Sequence, residues 1–112
     1  MSNNSIDFDT LNELKEIMED EFNVLVSIFI SDGKNQIDNL RLSIDSSNTE
    51  DVKRIAHTLK GTSSNLGVSH LSELCKTLEH NAADNKLEDA NELWQKILSE
   101  YEEVKATLEK LS

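Results

Sequence analysis

The sequence predicts an all-α fold: an antiparallel up-and-down four-helix bundle with an additional short N-terminal helix. Three observations carry this. Apolar residues recur at steps of three and four along five successive stretches, the spacing of one face of a helix. The 112 residues include no proline and only three glycines, too few turn formers for a chain of many short strands. The breaks between stripes are short and polar, and short connections between long helices make antiparallel neighbours.

The spacing predicts helices over approximately 9–19, 21–45, 49–66, 69–81 and 84–111. The first opens at Asp9 or Thr10, where Thr10 and Glu13 have the form of a capping box, and carries Leu11, Leu14, Ile17 and Met18 on one side. The second has the stripe Phe22, Leu25, Val26, Phe29, Gly33, Ile37, Leu40 and Ile44. Val24, Ile28 and Ile30 lie off that stripe, so either the first helix or a partner covers them. The turn Asp45–Thr49 is rich in N-cap residues. The third stripe is Val52, Ile55, Ala56, Leu59, Ser63 and Leu66, and it stops at Gly67, a natural left-handed cap. The fourth runs Leu71, Leu74, Cys75 and Leu78. After a turn at Asn81–Asn85, the last stripe alternates steps of three and four from Leu87 through Ala90, Trp94, Ile97, Tyr101, Val104 and Leu108 to Leu111, a bundle seam.

Composition narrows the function. There are 22 acidic and 11 basic side chains, a net charge of -11, which disfavours nucleic acid and anionic membrane surfaces as partners. One cysteine, Cys75, permits no intramolecular disulfide and no Cys-based zinc site. It falls on an apolar stripe and reads as packing, in a reducing compartment. No apolar run reaches the roughly 18–20 residues of a membrane span, and the polar start from Met1 to Asp7 is no secretory signal, so the expected location is cytoplasmic. Asp32–Asp38 lacks the glycine and the spacing of an EF-hand loop. His70 and His80 read as surface residues. The two Glu-x-x-His repeats of a dinuclear bundle site are missing, so no metal site is expected.

The third helix breaks the bland pattern. At roughly 100° per residue, His57, Lys60, Gly61 and Ser64 all project away from its core stripe. A glycine inside a helix costs about 1 kcal/mol relative to alanine, and here it lies one turn after a histidine on the exposed side. A nucleophilic ring nitrogen, a nearby cation and an unobstructed surface suit a phosphoryl group held on histidine and exchanged with a large partner. A flat helix face offers no pocket for a small substrate.

Ala56-His57-Thr58-Leu59-Lys60-Gly61, followed by Leu66-Gly67 and continuing into Leu74-Cys75 and Leu78-Glu79, resembles the signature of histidine-containing phosphotransfer (HPt) domains, and the whole chain, 1–112, resembles a free-standing bacterial HPt protein of one domain. The resemblance implies that His57 is phosphorylated, at Nε2, and relays phosphoryl between aspartates of receiver domains in a two-component His–Asp phosphorelay. It implies a phosphoryl carrier that is no ATP-dependent kinase, and the chain has no Gly-rich phosphate loop. No intrinsic cofactor is expected, and magnesium would come with the partner receiver domain. The implied partners are the receiver domain of a hybrid sensor kinase and that of a response regulator, with the protein itself a monomer.

For one ring nitrogen to attack, the other should hold a proton and a partner. His57 lies ten residues before Gly67 and Glu79 twelve after it, nearly level in an antiparallel hairpin, so Glu79 is the candidate acceptor for Nδ1–H. Asp32 on the second helix is a weaker candidate. Lys60 would stabilise the phosphoryl charge. A docking surface is expected around Gly61 and Ser64, ringed by Leu14, Ile17, Met18 and Ile28. Two other readings compete: a docking module without phosphotransfer, and a structural bundle self-associating through its last helix.

Overall fold

The structure, a computed structural model, describes residues 6–111. The polar start from Met1, the side chain of Leu111 and Ser112 lie outside the described residues. Five helices follow one another: α1 (Phe8–Met18), α2 (Asp20–Asp45), α3 (Thr49–Asn65), α4 (Ser69–Ala83) and α5 (Ala90–Leu111). No strand occurs among the described residues. Helix α2 packs on α3, α3 on α4, α4 on α5 and α5 back on α2, with α1 laid on α2. The four long helices thus close a ring in which α3 and α5 occupy opposite corners.

The stripes read from the sequence fill the centre. Phe22, Val26, Phe29, Ile37 and Leu40 of α2 meet Val52, Ile55, Ala56 and Leu59 of α3, Leu71, Cys75 and Leu78 of α4, and Ile97, Tyr101, Val104 and Leu108 of α5, all buried. With few aromatics, aliphatic packing supplies most of the burial, at roughly 25 cal/mol per Å² of apolar surface removed from water. Trp94 is half-buried rather than core: its Nε1–H donates to the Ile37 carbonyl at 2.9 Å, and the Arg41 guanidinium lies 5.1 Å from its ring centroid. The interior is also not wholly apolar, since Ser43, Ser63 and Glu100 are buried with it.

Two local readings need correction. Helix α1 begins at Phe8, and its cap is Asp7, whose carboxylate accepts from the Thr10 backbone N–H at 3.2 Å and from the Thr10 hydroxyl at 2.8 Å. Thr10 therefore serves as the third residue of the first turn and not as the cap. Helix α5 begins at Ala90 rather than near residue 84, while α4 runs on to Ala83. Asn85 takes a left-handed φ of 58°, and the Lys86 N–H returns to the Asn81 carbonyl at 2.8 Å, so the chain turns where the apolar periodicity suggested helix. Leu87 still packs against the core from this turn. Finally, α1 leaves Val24 and Ile28 exposed, whereas Ile30 is half-buried against the core.

Gly67 does close α3. Its φ is +76°, a value at which glycine is nearly free of strain and other residues are not. Its carbonyl accepts the Asp7 N–H at 2.6 Å, and Thr10 packs against it, so the segment leading into α1 is tied to the turn between α3 and α4.

Candidate functional site

Helix α3 is capped by Asn48, whose side chain accepts the Asp51 N–H at 3.1 Å. From there the helix runs unbroken through His57. Because Ile55, Ala56 and Leu59 are buried, His57 between them is forced outward, and its side chain is 67% exposed. Helix α4 comes back alongside in the opposite sense, and Ser72 Oγ donates to the Lys60 carbonyl at 3.2 Å, fixing the register of the pair.

That register brings Glu79 to His57. Glu79 Oε2 lies 2.9 Å from His57 Nδ1, and the other carboxylate oxygen, Oε1, lies 2.8 Å from Lys60 Nζ. One carboxylate thus holds the histidine and the lysine together. The Glu79 side chain is only 17% exposed. Burial pushes its pKa up, but hydrogen bonds from Lys60 and His57 and their charges outweigh burial and hold the carboxyl below its ordinary 4.5. The group is therefore a carboxylate at neutral pH and an acceptor only. With Nδ1 committed to it as N–H donor, Nε2 is the nitrogen that carries the free lone pair, on a side chain 67% exposed. Lys60, 30% exposed, stands beside the imidazole on the shared carboxylate; the helical wheel places it near His57 but gives no sign of that ion pair.

The surroundings are open. Around Gly61 nothing lies within 4 Å of the position a Cβ would take, and Ser64 is exposed one turn on. Ile17 and Ile28 are exposed, at 78% and 52%. Leu14 and Met18 instead turn into α1's packing and are half-buried against the core, because the first helix rests on α2 by that side. Among the described residues Asp32 makes no hydrogen bond or ion pair with His57, whose partner is Glu79. Asp32 lines a separate cavity of about 140 Å³ between α2 and α3, with Leu25, Ile28, Phe29, Thr58 and Thr62 among its walls. A wider concavity borders His57 and Glu79 and is walled by Glu50, Lys53, Arg54 and Thr58. Cys75 is buried behind Glu79; burial, then the Glu79 charge, pushes its thiol up to about 12, which keeps it an inert packing group. His70 and His80 are exposed, and no group of three or more potential metal ligands occurs among the described residues. No helix is long and apolar enough to cross a membrane among the described residues.

The fold and this face define a helical bundle with an exposed imidazole braced on its surface. The chain belongs to the Hpt domain family, whose model matches residues 24–111. Its structure is similar to the crystal structure of histidine-containing phosphotransfer protein B (HptB) from Pseudomonas aeruginosa, with a TM-score of 0.92 and 30% sequence identity over 95% of this chain and 92% of that one. No curated protein matches the chain.

Proposed function

We propose that His57 is the residue on which this histidine phosphotransfer protein carries its phosphoryl group in phosphorelay signalling. The observation that supports it is the shared carboxylate: Glu79 holds Nδ1 of an exposed imidazole at 2.9 Å and leaves Nε2 open. In the transfer, the Nε2 lone pair attacks the phosphorus of an aspartyl phosphate on a receiver domain. The Nε2–P bond forms as the P–O bond to the aspartate breaks, and the aspartate leaves as a carboxylate. Nδ1 keeps its proton throughout, so the product is a phosphoimidazolium whose positive charge faces the Glu79 carboxylate. The step is reversible, and a second receiver aspartate takes the group by the same path. Lys60, beside the ring, offsets charge on the phosphoryl oxygens.

The donor is the receiver domain of a hybrid sensor kinase and the acceptor that of a response regulator. Each brings its own magnesium, and the protein acts as a cytoplasmic monomeric carrier with no kinase reaction of its own. Gly61 and Ser64 give the receiver close approach, with Ile17 and Ile28 at the rim. Glu79 is a positioning residue, and Asp32 takes no part in holding the ring.

The test is transfer from a radiolabelled, phosphorylated receiver domain of a hybrid kinase to this protein and to its His57→Gln form. Acid-labile, alkali-stable label on the parent alone is the expected result. Label on both forms would move the site elsewhere. Binding without label across a broad panel of receivers would favour a docking module that carries nothing.

A further inference from the structure

The chain holds 22 acidic residues among its 112, yet none lies between Asp51 and Glu73. That same stretch holds Lys53, Arg54 and Lys60. The acid-free stretch contains most of α3 and the start of α4, and His57 stands in it. These cations are differently engaged. Lys60 is held by Glu79 at 2.8 Å, which keeps its charge beside the imidazole, where the phosphoryl group would sit, and away from the rim. Lys53 and Arg54 lie one turn before His57, are exposed, and wall the concavity that His57 opens into. Lys53 makes no ion pair among the described residues. Arg54 reaches Asp51 only through an exposed contact at 3.3 Å, the kind of pair that contributes little. Glu50 lines the same concavity, but it is seven residues from His57, about 10 Å along the helix axis, whereas Lys53 and Arg54 are within about 6 Å.

Resting on the reading of His57 as the phosphoryl site, we infer that Lys53 and Arg54 form an electrostatic clasp for the acidic rim of the receiver's phosphoaspartate pocket. A receiver must gather carboxylates at that pocket, since an aspartate accepts the phosphoryl group and further oxygen ligands hold magnesium. A chain of net charge -11 repels such a surface at most approaches, and the repulsion is weakest at the acid-free stretch, where Lys53 and Arg54 stand against Glu50 and where Glu79 is paired with Lys60. The clasp also sets an orientation. The N-terminal side of His57 carries long cationic side chains and the C-terminal side carries Gly61 and Ser64, which leave room for backbone to come close. The receiver's acidic rim therefore lies toward the start of α3 and its close-packed surface toward the end. Charge placed this way acts chiefly on encounter rate and on partner choice.

The experiment measures the second-order rate of phosphotransfer from a phosphorylated receiver domain of a hybrid kinase, at low and at high salt. It compares the parent, the Lys53→Glu/Arg54→Glu variant and the Lys96→Glu variant, with circular dichroism to verify folding. Lys96 is exposed on α5, at the corner of the bundle opposite α3, so it changes net charge without touching the face. The double variant should be slower by about tenfold or more at low salt, with the gap closing as salt screens the charges. Lys96→Glu should stay near the parent rate. An unaltered rate in the double variant, a loss that salt does not reduce, or an equal loss in Lys96→Glu would each overturn the clasp. If the parent itself accepts no label, the reading of His57 fails first, and that outcome is separate from all of these.

Discussion

Two glycines inside long helices of this protein do opposite things. Gly33 of α2 is buried, and a Cβ there would sit 2.8 Å from the ring of Tyr101. That ring lies across the α2 backbone, and its hydroxyl donates to the Ile30 carbonyl one turn earlier. Gly61 of α3 has nothing within 4 Å of the same position. Each gives up about 1 kcal/mol of helix propensity relative to alanine. At Gly33 the compensation is visible, an aromatic ring seated where no other residue would let it sit. At Gly61 the molecule contains no compensation, and in the reading given above it arrives with the receiver. A helical glycine marks a close approach, and the surrounding burial tells whether the approaching group belongs to the same chain.

The contrast can be broken from its stronger side first. Tyr101→Ala empties the seat against Gly33 and should cost about 3–5 kcal/mol in urea denaturation. Gly33→Ala should also destabilise, by about 1–3 kcal/mol, because the ring must shift to admit the methyl group. If Gly33→Ala instead stabilised the protein as an ordinary helical alanine does, the packing account of Gly33 would be wrong. On the other side, Gly61→Ala should raise stability by about 1 kcal/mol. Gly61→Arg should raise the denaturation midpoint as well, arginine being nearly as good a helix former as alanine, while weakening receiver binding on the order of tenfold, about 1.4 kcal/mol. Titration calorimetry with a receiver domain reads the second effect, and undiminished binding would remove close approach as the reason for this glycine.

The smallest expected effect concerns the carboxylate between the two helices. The carboxyl of Glu79 is held below its ordinary 4.5 in the folded protein. Its protonation equilibrium therefore favours the folded state above pH 4.5, and that contribution is lost as pH falls through the lowered value. Glu79→Gln should flatten this part of the acid limb of stability. It should also slow phosphotransfer, since an amide oxygen still accepts from Nδ1–H but no longer faces the phosphoimidazolium with a negative charge. A stability–pH curve that is the same in both proteins would show that the carboxylate is not held as described.

Much of this is legible in the sequence. Periodicity located all five helices, because each buries one continuous stripe and the stripes follow the helical repeat closely. Counting outward from Gly67 placed Glu79 level with His57, and the two meet at 2.9 Å, since an antiparallel pair with a short turn has only one register. The misses have a common cause. The start of α5 is hidden in the sequence because Leu87 continues the apolar spacing, and spacing does not report that Asn85 turns left-handed. The capping box at Thr10 was a valid local pattern overridden by Asp7, one turn earlier. Lys60 was placed on the right side of α3, but a helical wheel cannot say where a four-carbon chain ends. That Leu14 and Met18 turn inward while Ile17 turns outward depends on how α1 rests on α2, which no residue of α1 encodes alone.

The chain has a single tryptophan, and its position has a practical consequence. Trp94 is anchored to Ile37 and flanked by Arg41, on the helix farthest around the ring from His57. Its emission is set by the α2–α5 contact, so it will redden when the bundle opens and stay still when a tryptophan-free receiver settles on α3. The protein thus carries an optical gauge of its own integrity that is blind to its partner, and unfolding can be followed in the assembled complex without labelling either chain.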